Sequence, residues 1–232
     1  MKTRSSDIVG RQIIQSIIEG KIGVHESMPS ERELSSRFNV GRPTIREALQ
    51  RLERNGWITI HKGVPATVNN YWKQGNLMTI VDMLQLEDEI PDGFIEHMLE
   101  LRISLTPAYI KDASKHNRLR LIALFSSLDE LSDKPHSYAI FDWNLQQDMA
   151  QLSPNPIYRL ILNSFSDLYQ RMGLQYFENS SHRSISKQYY FALLDSIWNG
   201  DIEGTEKIAR SMMKTSLQLW KKQMNGGEIH EE

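Results

Sequence analysis

"SERELSSRFNVGRPTIREALQRL", residues 30–52, is the stretch whose reading decides the fold. Two short helix-like runs flank Asn39-Val40-Gly41, and three arginines, Arg32, Arg42 and Arg46, crowd around that turn. Ser30 stands three residues before Glu33. At that spacing a hydroxyl and a carboxylate each satisfy one free backbone N–H at a helix start. Leu34 and Phe38 give this helix a buried stripe. After the turn, Pro43 falls in a first helical turn, where a missing N–H costs little. Ile45, Ala48, Leu49 and Leu52 then repeat at steps of three and four, and Asn55-Gly56 ends the run.

Upstream, Ile8, Val9, Ile13, Ile14, Ile17 and Ile18 predict an amphipathic helix from Ser6 to Gly20, and 21–29 reads as a loop. Downstream, "WITIH" (57–61) and "ATVNN" (66–70) alternate around the turn "KGVP", which predicts a β-hairpin. Helix, helix, tight turn, helix and hairpin is the order of a winged helix-turn-helix. From residue 76 onward only helices are expected, at 76–87, 93–116, 118–131, 137–151, 156–178, 182–199 and 202–224. Breaks fall at Pro91, Pro135, Pro154, Pro156 and Gly200-Asp201. The expected fold is mainly α. A winged helix-turn-helix with a small hairpin occupies 1–72, a linker and linker helix 73–87, an all-α seven-helix bundle 88–224 and a disordered tail 225–232.

Composition narrows the function. The 232 residues include no cysteine, which removes disulfides, Cys-ligated zinc and thiol nucleophiles. No apolar run approaches the roughly 20 residues of a membrane span, and the first residues carry no signal-peptide core. A cytoplasmic location with no membrane partner is expected. The net charge of −2 divides into +4 over 1–72 and −6 over the remainder. A basic front and an acidic back suit two domains with different partners, although surface charge also varies without purpose. No Walker A loop, G-x-S-x-G elbow, H-E-x-x-H or paired-carboxylate signature is present, and Asp142, Asp148 and Asp167 read as surface or capping residues. The chain is not expected to be an enzyme.

The arginines explain the turn. In a helix-turn-helix the helix after the turn enters the major groove with its first residues toward base edges, and Arg42, Thr44 and Arg46 occupy that end. Arg42 and Arg46 share a face, and an arginine fork matches guanine O6 and N7. Arg32 is placed to reach a phosphate or a neighbouring base, and Lys62-Gly63 forms a cationic hairpin tip for the minor groove or its backbone. The competing reading pairs these arginines with Glu31, Glu47 or Glu53.

"PSERELSSRFNVGRPTIREALQRLERNGWITIHKG" resembles the DNA-binding domain of the GntR family of bacterial regulators. "VNNYW" (68–72), "NPIYRLILNSFSDLYQRMGLQYF" (155–177) and "SLQLW" (216–220) are similar to its fatty-acid-responsive FadR branch, so the resemblance runs from about residue 7 to 224. It implies a homodimer on a palindromic operator in double-stranded DNA, touched by Arg32, Arg42, Thr44, Arg46, Lys62 and Gly63. It departs from the branch at Gly41 and Pro43, where threonines are usual, and at Lys62, where histidine is. It also implies long-chain acyl-CoA as effector, at Arg102, Tyr169, Tyr176, Met213, Ser216 and Trp220, with ordinary core roles as the alternative for the aromatics. Met213 replaces a glycine of that branch. Acyl-CoA would move the linker helix and reset operator affinity. The resemblance implies that the regulator itself represses fatty-acid degradation and, as an additional role, activates unsaturated fatty-acid synthesis. No cofactor is implied. The wider group holds a metal with one aspartate and three histidines. Here Asp142 meets Gln146, Tyr190 and Met212 or Met213, and the seven histidines (25, 61, 97, 116, 136, 182 and 230) lack ligand spacing, so no metal is expected. The alternative function is a GntR-type regulator answering to another small metabolite, such as an organic acid.

Overall fold

The computed structural model describes residues 4–86 and 93–225. The first residues of the expected helical domain (88–92) and the tail from 226 onward lie outside them. The chain divides into two compact units, 1–91 and 92–232.

The first unit runs α1 (Ser5–Ile18), α2 (Glu31–Phe38), α3 (Arg42–Arg54), β1 (Ile58–Thr59), β2 (Thr67–Val68), α4 (Tyr71–Gln74) and α5 (Leu77–Leu84). Its core is the set of apolar stripes read from the sequence: α1 packs on α3, and Ile13, Ile14, Leu34, Ile45, Ala48, Leu52 and Trp57 are almost wholly excluded from water. The Ser30 cap forms in both directions, with Glu33 N–H donating to Ser30 Oγ (3.3 Å) and Ser30 N–H to Glu33 Oε2 (2.8 Å). Asn39 turns the chain through the left-handed region (φ 50°, ψ 47°), which asparagine tolerates better than most residues.

The hairpin is shorter than the alternation suggests. Only Ile58↔Val68 and Thr59↔Thr67 pair in register. Beyond them Glu53 Oε1 takes the Ile60 N–H (2.9 Å), so β1 stops. The other edge of β2 is taken by the predicted loop: Met28 N–H donates to Ala66 O and Val68 N–H to Glu26 O. An exposed strand edge is thereby covered.

The helix expected as a linker is tied to the end of α3. Asn76 Nδ2 donates to Arg54 O (3.1 Å), and Thr79 Oγ1 donates to Asn55 O. These are carbonyls that a helix C-terminus leaves unsatisfied. Asp82 Oδ2 accepts from Asn55 Nδ2 (2.8 Å) and Trp57 Nε1 (2.9 Å). Gly56 (φ +85°) lets the backbones meet, since a Cβ there would lie 2.8 Å from Gly75 Cα.

The second unit holds α6 (Phe94–Ala123), α7 (Pro135–Leu152), α8 (Ile157–Ser164), α9 (Ser166–Glu178), α10 (Ser180–Trp198) and α11 (Ile202–Asn225). Non-helical Asn117 (φ −136°, ψ 36°) kinks α6, and its side chain donates to Leu152 O (2.7 Å). Counted as straight segments, the described residues of this unit contain seven, but the seven predicted spans place only six here, since 76–87 falls in the first unit. Residues 124–131 form turns rather than helix, and the predicted helix 156–178 breaks at Phe165 (φ −112°, ψ 12°). α11 packs chiefly on α6, around a core that includes Tyr109, Ile110, Tyr190, Leu193 and Ala209.

Candidate functional site

Two sites emerge, one in each unit. In the first, Arg42 opens α3, Thr44 is half-buried beside it, and Arg46 follows one turn later. Gly41 caps α3 without a side-chain acceptor, so this N-terminus keeps its affinity for anions. Arg32 lies exposed in the first turn of α2, and Lys62-Gly63 lies exposed at the hairpin tip, where Gly63 takes φ +81°. A groove of about 520 Å³ joins Ser30 and Glu31 to Arg46, Gln50, His61 and Gly63.

Of the competing acid–arginine pairings, one forms around the turn. Arg46 Nε donates to both Glu31 oxygens (2.8 and 3.0 Å), while its side chain stays 62 % exposed. Glu47 reaches Arg4 at 3.9 Å, and Glu53 is used by a backbone N–H. Arg32 and Arg42 have no ion pair among the described residues.

In the second unit Arg102 from α6, Tyr169 and Tyr176 from α9, and Met213, Ser216 and Trp220 from α11 all line one cavity of about 100 Å³. A single water needs roughly 10–15 Å³ of such space, so this is no packing defect. Its wall is overwhelmingly apolar, with Met98, Leu105, Phe165 and Met172 among its members. Phe165 belongs to it because the break between α8 and α9 turns that ring inward, where it is 5 % exposed.

Arg102, Asp142, Tyr169 and Tyr189 are among the polar groups in that wall. The Arg102 guanidinium lies 4.7 Å from the Tyr169 ring centroid and makes no ion pair among the described residues. Burial works against its charge, but Tyr169 and Asp142 outweigh that and hold its pKa above the ordinary arginine value. Asp142, expected at the surface, is instead 9 % exposed and lines the cavity. Each of its oxygens accepts a phenolic O–H, from Tyr169 (2.8 Å) and Tyr190 (2.9 Å). The expectation failed because those tyrosines stand on other helices, and no spacing along the chain brings them together. Asp148, by contrast, is largely exposed beside Arg159 (3.8 Å), and Asp167 lies in the first turn of α9.

Burial pushes Tyr169, Tyr189 and Tyr190 well above the ordinary tyrosine range, so these hydroxyls keep their protons, and those of Tyr169 and Tyr190 donate to Asp142. Tyr109 donates to Gln146 Oε1. The Tyr189 hydroxyl is buried, lines the cavity and has no hydrogen-bond partner among the described residues. Sequence reasoning missed Tyr189, because one more tyrosine on a helix carries no signal of its own. The positions where the resemblance places metal ligands hold a carboxylate already occupied by two O–H groups, with an amide, a phenol and thioethers around it. That donor set does not suit a divalent transition metal.

A winged helix-turn-helix with exposed arginines on the helix after its turn, in one chain with a helical unit that holds a largely apolar cavity, defines a DNA-binding regulator. Residues 6–68 match the bacterial regulatory proteins of the gntR family, and residues 69–226 match the FadR C-terminal domain. The chain belongs to the GntR family, with a C-terminal domain of the FadR type. It is a transcriptional regulator and not an enzyme. It is 34% identical over 209 residues to the fatty acid metabolism regulator protein of Haemophilus influenzae (strain PittEE), covering 90% of this chain and 87% of that one. To the protein of that name from Shewanella pealeana it is 40% identical over 183 residues, 78% and 75% of the two chains. A solved structure of Lar, described as controlling the expression of the Listeria monocytogenes agr system, superposes with a TM-score of 0.57. It covers 94% of this chain and 97% of its own at 16% identity, and so shares the fold. No helix among the described residues is long and apolar enough to cross a membrane.

Proposed function

We propose that this protein regulates genes of fatty acid metabolism as a homodimer on a palindromic operator in double-stranded DNA, with long-chain acyl-CoA in the helical unit setting its affinity. The names of its relatives support the metabolic field. The observation that carries the ligand class is a half-buried cation, Arg102, without an ion pair among the described residues, in the wall of a largely apolar cavity. An acyl chain fits the apolar wall, and its thioester and phosphates supply the oxygens that Arg102 and the Tyr189 hydroxyl lack. Met213 on α11 bears on how much chain the cavity accepts, since methionine is large and adaptable. On DNA, Arg42 and Arg46 face base edges with Thr44 between them, Arg32 meets phosphate, and Lys62-Gly63 follows the adjacent groove. Two half-sites bound together give the affinity, so a small change in the spacing of the reading helices changes it several-fold or more. The roles that follow are repression of fatty-acid degradation and, in part, activation of unsaturated fatty-acid synthesis.

Isothermal titration with palmitoyl-CoA, oleoyl-CoA and free CoA tests the ligand, with a gel shift on selected DNA in parallel. Saturable binding of the acyl forms that changes the shift supports the reading. Binding of free CoA alone, or of neither acyl form, overturns it. One observation favours a second reading: a guanidinium among phenolic hydroxyls also suits a small carboxylate. A thermal-shift panel of organic acids separates the two.

A further inference from the structure

Glu31 and Arg46 bring opposite charges together on the face that the proposed function turns toward DNA. Glu31 is the first residue of α2 and Arg46 lies in the second turn of α3, so the pair spans the tight turn. Folding does not require it, because an exposed ion pair of this kind contributes little to stability. An acid on a phosphate-binding surface also works against affinity.

The geometry gives the pair another meaning. Both Glu31 oxygens engage Nε of Arg46, at 2.8 and 3.0 Å. The two terminal nitrogens, Nη1 and Nη2, have no partner among the described residues, and the side chain remains 62 % exposed. These nitrogens form the edge of a guanidinium that pairs with the O6 and N7 of guanine. Arg32 and Arg42, by contrast, carry no ion pair among the described residues. A phosphate accepts a cation from many directions, whereas a base edge accepts the fork only in one plane. Fixing the inner nitrogen in advance removes rotamer freedom that would otherwise be lost on binding.

We propose that Glu31 is a positioning residue: it holds Arg46 by its inner nitrogen so that the outer edge is presented to a guanine in the major groove. The proposal deepens the DNA-binding reading above and rests on it.

The test uses the full chain and a duplex selected from a random pool by the wild-type protein, alongside variants with single guanines replaced by 7-deazaguanine and an unrelated duplex. For wild type, one 7-deazaguanine should weaken binding about tenfold. For Glu31→Gln, affinity for the selected duplex should fall about tenfold and dependence on that guanine N7 should largely vanish. Affinity for the unrelated duplex should stay the same or rise. Glu31→Asp, too short to hold Nε in this geometry, should behave alike. If Glu31→Gln tightens both duplexes by one factor, or keeps the full N7 dependence, Glu31 is merely a competing charge and the proposal fails. Arg46→Ala separates the two levels. If it weakens binding and removes the N7 dependence while Glu31→Gln does neither, only the role of Glu31 falls. If it leaves binding unchanged, α3 does not read DNA through Arg46 and the underlying reading falls with it.

Discussion

Arg102 is a half-buried cation without an ion pair among the described residues, and that makes it the most informative side chain in the helical unit. Tyr169 and Asp142 favour its charged form, and it lines the cavity without an ion pair among the described residues. Arg102→Ala should therefore abolish measurable acyl-CoA binding by titration calorimetry while changing the melting temperature little. A large drop in melting temperature would mark it as a structural residue. In the first unit, Arg46→Ala should weaken operator binding by roughly 1–3 kcal/mol if the side chain reads a base. A gel-shift titration checks this. The two arginines differ in what made them visible. Arg46 lies in a motif whose spacing is local, whereas nothing around Arg102 in the chain reveals that Tyr169 and Asp142 will meet it.

At the scale of elements, the junction between α3 and α5 joins the reading helix to the segment beyond the hairpin. Thr79 satisfies the Asn55 carbonyl, so Thr79→Val should leave that group buried and unpaired and cost about 1–3 kcal/mol, read from urea unfolding. Asp82 adds a pH dependence. Burial raises its pKa from 3.8, against the opposing hydrogen bonds from Asn55 and Trp57. The folded state then holds its proton more tightly than the unfolded state. Stability contributed by this group is full below 3.8 and falls as pH rises through the elevated folded value. Asp82→Asn keeps an acceptor and removes the charge, so it should flatten that decline and raise the melting temperature at neutral pH. An unchanged pH profile would show that Asp82 does not titrate in this window. Helix lengths were less legible than helix existence. The break at Phe165 and the kink at Asn117 occur where a ring enters the cavity and an amide reaches Leu152 O, partners that propensity does not contain.

For the whole molecule, charge is divided as +4 over 1–72 and −6 over the rest, and the positive part coincides with the DNA-binding domain. DNA binding through exposed arginines and a lysine releases counterions, so log affinity should fall linearly with log salt. A contact set of about six phosphates would lose on the order of a thousandfold between 50 and 200 mM. Acyl-CoA binding, seated in a mostly apolar cavity, should respond to salt far less. Fluorescence anisotropy and calorimetry at the same two salt concentrations test the contrast, and equal slopes would contradict it.

The amino-acid sequence by itself determined the reading unit, down to the Ser30 cap, the Asn39 turn and the apolar stripe of α3. Such features depend on residues within a few positions of one another, where backbone geometry alone fixes who meets whom. It also marked six residues on three helices that turn out to line one cavity, through resemblance rather than through any periodicity. Tertiary structure alone decided that Asp142 is a buried hub of tyrosine hydroxyls, that α5 caps α3, and that Glu31 grips the inner nitrogen of Arg46. Each of those depends on side chains 15 to 48 positions apart, and only packing brings such distant groups within hydrogen-bond reach.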